Sequence, residues 1–299
     1  MAVYLENIEP GKGQSLRFLS WTRGVERVCL HTGAGQYEEI DGAGVLWHRH
    51  PEIELTIVTS GSGLRMVGDH LGRFAGDDIA LIGRNVPHYW RMQSDSSGYC
   101  LQFDPNRKGG IWQSPEFVAL GKLWKRAQRG LQINGELAGS LRKIITELPN
   151  LSPLSRMARL IELLELIEGD NRKEARPLAS ADFRIPEADD PYGEVIAEVI
   201  QVITTGFRNE LRLEEVLERQ PLSRATFARH FKTNTGKSFS AFLAEVRVNS
   251  ACHELATTCR SVTEIAFDSG FNDLPHFNRM FLKLKGTSPL KWKKAHGAF

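Results

Sequence analysis

Ser261-Val262-Thr263-Glu264-Ile265-Ala266-Phe267-Asp268-Ser269-Gly270-Phe271-Asn272-Asp273 reads as a short helix, a tight turn and the approach to a second helix. Val262, Ile265, Ala266 and Phe271 supply the apolar contacts, and Gly270 can take the positive φ that a tight inter-helix turn requires. The next run, Leu274-Pro275-His276-Phe277-Asn278-Arg279-Met280-Phe281, puts Phe277, Met280 and Phe281 on one helical stripe. His276, Asn278, Arg279 and Lys283 fall outside that stripe. Asp273 is the expected N-cap, and Pro275 suits a first helical turn, where an amide hydrogen has no partner. A helix of this kind fits a DNA major groove, with its polar side toward bases and phosphates.

A second copy lies upstream. Leu213 to Leu217 reads as a first helix, Gln220-Pro221-Leu222 as the turn, and Ser223 as the N-cap of a helix through Lys232 with Phe227 and Phe231 on its apolar side. Between the copies, Phe239 to Leu255 is long enough for a helical spacer of roughly 25 Å. Two recognition helices so joined would enter neighbouring turns of one groove, about 34 Å apart.

Residues from about 192 to 296 resemble the DNA-binding domain of the AraC/XylS family of transcription regulators. The resemblance is carried by Phe231-Lys232, Thr235-Gly236-Lys237-Ser238-Phe239, Ser261 to Phe267, Gly270-Phe271, His276-Phe277, Arg279, Phe281 and Gly286-Thr287-Ser288-Pro289. It implies double-stranded operator DNA as a partner. It also implies base-reading positions at Ala225, Ala228 and Arg229 in the first module and at Leu274, Pro275, His276, Asn278 and Arg279 in the second. Ala225 and Ala228 offer at most a methyl contact to thymine, so Arg224 and Arg229 are expected to carry the first module's polar contacts. From Pro191 onward, 15 Lys and Arg stand against 11 Asp and Glu, a balance of +4, so this part is only mildly basic. Lys283, Lys285, Lys291, Lys293 and Lys294 are either a solvated helix face or phosphate contacts.

The 299 residues, 41% hydrophobic and 25% charged, suit about two globular domains. No run of eighteen apolar residues and no basic stretch before an apolar core appears, so neither a membrane anchor nor a signal peptide is expected. Cys29, Cys100, Cys252 and Cys259 fit no CxxC spacing and read as reduced thiols, which points to the cytoplasm.

The front of the chain reads as strands at Val45–Trp47, Ile53–Val58, Gly63–Val67, Asp78–Ile82 and Tyr99–Phe103, separated by Gly-rich turns. Short strands in that rhythm predict a small antiparallel barrel or jelly roll. Gly42, His48, His50, Glu54 and Gly61 have the spacing of the first motif of the cupin superfamily, and Gly83-Arg84-Asn85-Val86-Pro87-His88 resembles the second. Gly83, Asn85 and Met92 depart from the usual Pro, Gly and Asn of that second motif. His48, His50 and Glu54 share parity, so on a strand they face one side. With His88 they would make a three-histidine, one-carboxylate set suited to Zn, Fe, Mn or Ni.

Three readings compete for these residues. They bind a divalent metal; they hydrogen-bond an organic effector, with Trp47 or Trp90 as a stacking face; or the histidines are satisfied in the core. Arg23 and Arg27 are an alternative anchor for an anionic effector, and a sugar, sugar acid or nucleotide is the effector class considered. The combined pattern resembles the sensor cupins that precede AraC-type DNA-binding domains.

Helical periodicity runs through Pro115–Arg129, Leu137–Leu148 and Leu154–Glu168. The wide stripe of the last, including Leu160 and Leu164, either packs on the barrel or forms a homodimer, the outcome the family suggests. A Pro-bearing, polar stretch before Pro191 reads as a linker. The expected organisation is α+β. An N-terminal β-barrel of cupin or jelly-roll type (1–110) is followed by a helical dimerisation region (111–170), a linker (171–191) and an all-α domain with two helix-turn-helix modules (192–299). The function expected is a ligand-responsive transcription regulator, not an enzyme. The alternative is a metal-dependent cupin enzyme, a dioxygenase or isomerase, fused to a DNA-binding domain.

Overall fold

A computed structural model describes residues 4–10, 12–42, 44, 46–76, 78–171, 173–185, 192–218 and 222–297. The chain divides into two compact units: residues 3–185 apart from 71–73, and the part from 186 on, with which 71–73 are grouped. The strands are β1 (Tyr4–Leu5), β2 (Leu16–Thr22), β3 (Arg27–Gly33), β4 (Gln36–Asp41), β5 (His48–Arg49), β6 (Ile53–Ser60), β7 (Ser62–Val67), β8 (His70–Ala75), β9 (Asp78–Ile82), β10 (His88–Met92), β11 (Ser97–Phe103), β12 (Leu131–Ile133) and β13 (Ala175–Pro177). They form a five-stranded sheet in the order β1-β5-β10-β7-β8 and an eight-stranded sheet in the order β13-β12-β9-β6-β11-β2-β3-β4. The expected jelly-roll architecture is present as two open sheets and not as a closed cylinder. Among the described residues no ladder joins the two sheets.

Side-chain alternation sorts the large sheet into two faces. Phe18 of β2, Ile53, Leu55 and Ile57 of β6, Ile79 and Leu81 of β9 and Leu101 and Phe103 of β11 enter one core. Their neighbours Leu19, Trp21, Val58, Ala80, Ile82 and Cys100 enter another. Arg17, Glu54 and Gln102 share the parity of that second set. The helices α1 (Gly121–Ala127), α2 (Gly135–Glu147) and α3 (Pro153–Glu168) cover the first core, together with Leu131 and Ile133 of β12 and Ala175 of β13. β9 is buried on both faces and reads as a nearly apolar run, whereas β6 alternates Glu54 and Thr56 with Ile53, Leu55 and Ile57.

Three expectations change. No strand covers Val45–Trp47: Val45 lies outside the described residues, Leu46 sits in a bend, and extended pairing begins at His48. Leu160, Leu163, Leu164 and Ile167 of α3 are fully buried against the large sheet and α2 inside one protomer, so this stripe is not a dimer surface. The front of the expected linker is structured. Ala175–Pro177 pairs with β12, and Arg129 Nε donates to the carbonyls of Ala179 and Ser180 at 2.9 and 3.1 Å. Residues 186–191 of that linker lie outside the described residues.

Arg156 fixes α3 in place. It is 1% exposed and has no carboxylate partner. Its guanidinium donates to the carbonyls of Leu148 (2.9 Å), His31 (3.0 Å), Gly33 (2.6 Å) and Pro149 (3.2 Å), and lies 5.3 Å from the Phe18 ring centre. One side chain thus joins α3, the turn after α2 and the end of β3.

The second unit contains α4 (Gly193–Gly206), α5 (Leu213–Leu217), α6 (Arg224–Thr235), α7 (Phe239–Thr257), α8 (Val262–Asp268), α9 (Leu274–Lys285) and α10 (Pro289–His296). Ser223, Ser238, Ser261, Asp273 and Ser288 cap their helices through side-chain oxygens, and Ser261 with Glu264 forms a capping box. Residues 219–221, which include most of the expected first turn, lie outside the described residues. No helix among the described residues is long and apolar enough to cross a membrane.

Replacing Arg156 with Met removes four hydrogen bonds to carbonyls, of which those of Leu148 and Pro149 keep backbone donors in Leu151 and Gly35. Thermal or urea unfolding of the chain should show a loss of about 3 kcal/mol, within the range for breaking a buried charged network. Arg159→Met, which removes only surface pairs with Glu147 and Glu162, should change little. Equal stability of Arg156→Met and wild type would contradict this role.

Candidate functional site

His48 and His88 stand directly opposite each other on β5 and β10, and Glu54 stands opposite Gln102 on β6 and β11. The two sheets therefore present their polar residues to one interior space. His48, His50, Glu54 and His88 are each at most 4% exposed, and their candidate ligand atoms all lie within 4.8 Å of one another. His48 Nδ1 donates to the Leu46 carbonyl and His88 Nδ1 to the Val86 carbonyl, both at 2.8 Å. A carbonyl only accepts, so each Nδ1 carries a proton, and in the neutral ring Nε2 is left as the lone pair. His50 Nδ1 lies 3.5 Å from the Glu52 carboxylate.

Glu54 is the centre of the set. Its carboxylate accepts from Thr56 Oγ1 at 2.6 Å and Gln102 Nε2 at 2.8 Å, and lies 3.2 Å from His50 Nε2 and 3.6 Å from His88 Nε2. Burial pushes its pKa up, but His88 and the His50 contacts hold the carboxyl well below the usual range. His88 moves the opposite way: burial lowers it, and the Glu54 charge raises it above the ordinary imidazole value. His48 falls well below that value through burial and through the neighbouring His88 and His50. Buried His88 Nε2 has no hydrogen-bond partner.

This donor set fits a metal ion. First-row ions bind nitrogen and oxygen at about 2.0–2.2 Å, so four donors within 4.8 Å of one another need only a small contraction to share one. Three imidazoles and one carboxylate suit Zn, Fe, Mn or Ni, as the spacing predicted.

A cavity adjoins the set, with empty space of about 540 Å³ including its mouth. His48 and Glu54 reach its wall, as do Trp90 and Trp21; Trp47 is buried but does not line it. Arg23 and Arg27 are exposed and also absent from the lining, which removes them as an anchor for a ligand in this cavity. Sequence reasoning missed Glu6, Arg17, Gln102 and Glu52. Glu6, Arg17 and Gln102 come singly from separate segments that no motif marks, whereas Glu52 lies within the His-x-His-Pro-Glu-x-Glu pattern and was given no role.

In the helical unit, Phe227 and Phe231 of α6 and Phe277 and Phe281 of α9 are fully buried. The opposite faces expose Arg224, Ala225, Ala228 and Arg229 on α6, and Pro275, Asn278 and Arg279 on α9. Leu274 and His276 are half-buried instead. Leu274 packs on the module's core, and the His276 ring meets Phe271 edge-on at 5.5 Å, so neither is a freely exposed base reader. Arg224 is paired with Glu214 of α5 at 2.9 Å.

The modules repeat with a constant offset of 50 residues: Ser223 and Asp273, Phe227 and Phe277, Arg229 and Arg279, Phe231 and Phe281, Gly236 and Gly286. Both glycines are left-handed C-caps, with φ of 72° and 69°. Of the late lysines, Lys285 donates to Asn249 Oδ1 at 2.7 Å and Lys293 to the Arg260 carbonyl, while Lys283, Lys291 and Lys294 are exposed.

Two tandem helix-turn-helix modules and a cupin-like domain with a buried polar cavity define a DNA-binding regulator that carries its own ligand-binding domain. Comparison with known proteins agrees on both halves. Residues 34–164 match the family described as AraC-like ligand binding domain, and residues 216–295 match the helix-turn-helix domain. The HTH-type transcriptional activator RhaR of Enterobacter sp. (strain 638) is 24% identical over 264 residues, covering 82% of this chain and 86% of that one. RhaS of Klebsiella pneumoniae (strain 342) is 39% identical over 83 residues, 28% of this chain and 30% of that one. A solved structure of a probable AraC family transcriptional regulator from Rhodopseudomonas palustris CGA009 is 24% identical, with a TM-score of 0.33, and covers 35% of this chain and 98% of that one. The chain belongs to the AraC family of ligand-responsive transcription regulators. It is not an enzyme, and the dioxygenase or isomerase alternative falls away.

Arg229→Ala and Arg279→Ala should each weaken operator binding about ten- to a hundredfold where the arginine reads a base. Arg224→Ala should cost less, because that side chain is engaged by Glu214. Anisotropy titrations on operator and random duplexes separate base reading from phosphate contact, since the latter weakens both and flattens the salt slope. Wild-type affinity and preference in the Asn278→Ala, Arg279→Ala double variant would remove α9 from the groove.

Proposed function

We propose that this regulator senses its effector at a divalent metal ion held by His48, His50, Glu54 and His88, and reads its operator through Arg229, Pro275, Asn278 and Arg279. The observation that carries the reading is the convergence of four buried donor atoms within 4.8 Å of one another, with Nδ1 of His48 and His88 already spent on backbone carbonyls. A buried polar atom without a partner is costly unless something else occupies it. The ion would supply Lewis acidity toward an oxygen donor of the effector. The chain's own residues orient the site: the Leu46 and Val86 carbonyls fix two imidazoles, Glu52 faces the third, and Thr56 and Gln102 hold the carboxylate.

A homodimer remains part of this reading because the family suggests one, but with no assigned surface, since the stripe on α3 is spent inside the protomer. The site of action is the cytoplasm, where the operator DNA is.

Metal analysis of the purified chain should find about one ion per protomer bound through this set. Changes to outer-shell partners commonly cost about 10- to 100-fold in metal affinity, so Glu52→Gln should fall in that range and His50→Ala below it. DNA affinity without effector should stay near wild type in both, because that contact belongs to the helical unit. Equal metal content in wild type and His50→Ala would refute the assignment.

A further inference from the structure

We infer that the cavity beside His48 and Glu54 takes a small monocarboxylate with a compact apolar or aromatic body, its anionic end at Arg17 and its body between Trp21 and Trp90. The walls argue for the body. Leu19, Val25, Val28 and Met92 offer no hydrogen bonds, and the two indole N–H groups are already used, Trp21 on Ser96 Oγ and Trp90 on Asp78, each at 3.3 Å. What remains of both tryptophans is an aromatic face. A sugar, whose hydroxyls point around its ring, would leave several of them unpaired against these walls.

The polar end argues for the charge. Arg17 Nη1 donates to Glu6 Oε1 at 2.9 Å and to Gln102 Oε1 at 3.0 Å, Gln102 Nε2 donates to Glu54, and Glu6 Oε2 lies 3.4 Å from His48 Nε2. Arg17 Nη1, Glu6 Oε1, Gln102 and Glu54 satisfy one another through these bonds. The exception is Arg17 Nε, a buried donor with no partner on a side chain 9% exposed that lines the cavity. A guanidinium edge with a free N–H is suited to a carboxylate.

The charge count rests on the metal reading proposed above. With neutral imidazoles, the cations facing this space are Arg17 and the divalent ion, and the anions are Glu6 and Glu54. One positive charge is left over, which a single carboxylate neutralises. Without the ion that surplus is gone. A nucleotide brings more negative charge than one spare guanidinium donor can match.

The test is calorimetric titration of the full chain, loaded with zinc(II) or stripped by chelation, using benzoate, its uncharged isostere benzamide, glucose and glucuronate. The zinc-loaded chain should bind benzoate at least about tenfold more tightly than benzamide and more tightly than either sugar. That preference should vanish on stripping and in Arg17→Gln. Should Arg17→Gln not fold, the wild-type comparisons decide alone. Zinc bound through the histidines with benzoate no better than benzamide, or with glucose or glucuronate bound more tightly than benzoate, overturns the inference and leaves the metal reading standing. Zinc uptake unchanged in His50→Ala overturns the metal reading and the charge count with it.

Discussion

A carboxylate taken out of water must be compensated on every side, and Glu54 is the one on which this sheet domain is built. Thr56 and Gln102 donate to it directly, and His50 and His88 lie against it. Through Gln102 the same network reaches Arg17, and through Arg17 it reaches Glu6 and His48. Segments from Tyr4 to Phe103 are thereby tied to one buried group. Uncompensated, that charge would cost several kcal/mol in a low-dielectric interior. The pairing of β6 with β11 and of β5 with β10 is what brings the compensating groups to it.

Parity explains what was legible. His48, His50 and Glu54 share even numbering, and although His48 and Glu54 lie on β5 and β6 of different sheets, both face the space between those sheets, while His88 follows from the second motif. Glu6, Arg17 and Gln102 obey the same parity rule on β1's flank, β2 and β11. Each is isolated among residues of ordinary type, and only the strand order of the large sheet makes them neighbours. The α3 stripe failed as a dimer signal for a related reason. An apolar face wide enough to bury says only that it is covered, and here β-strands and α2 of the same chain cover it. The β13 strand escaped notice because Ala175-Arg176-Pro177 has the composition of a linker, and an edge position tolerates both the charge and the proline.

The helical unit was more readable because its signals are local. Caps, left-handed glycines and phenylalanine stripes act within a few residues of each other, and the offset of 50 residues repeats them. Gly270 shows how strict such a signal is. At φ 89° a side chain is already disfavoured, and a Cβ there would stand 2.4 Å from the Phe207 carbonyl oxygen. Arg247 is the long-range element that no local pattern announces. From α7 it donates to the carbonyls of Phe207 at 2.7 Å and Asn209 at 2.9 Å, and its guanidinium lies 5.9 Å from the Phe271 ring centre. A rigid spacer helix fixes the distance between two modules only if its neighbours cannot rotate about it, and Arg247 supplies that restraint.

The two halves of the chain use buried polarity for opposite ends. In the helical unit Arg247 and the caps satisfy backbone groups at helix ends, which limits what the recognition helices must rearrange when DNA arrives. In the sheet domain His88 Nε2 and Arg17 Nε are among several buried side-chain atoms that lack a hydrogen-bond partner. Those two atoms make the ligand-free domain less favourable than one with both atoms occupied, by an amount set by the desolvation of each group. A regulator needs that difference, because a ligand shifts an equilibrium only by what it contributes to one state and not the other. Incomplete pairing at the cavity is therefore where differential binding energy for a response is stored.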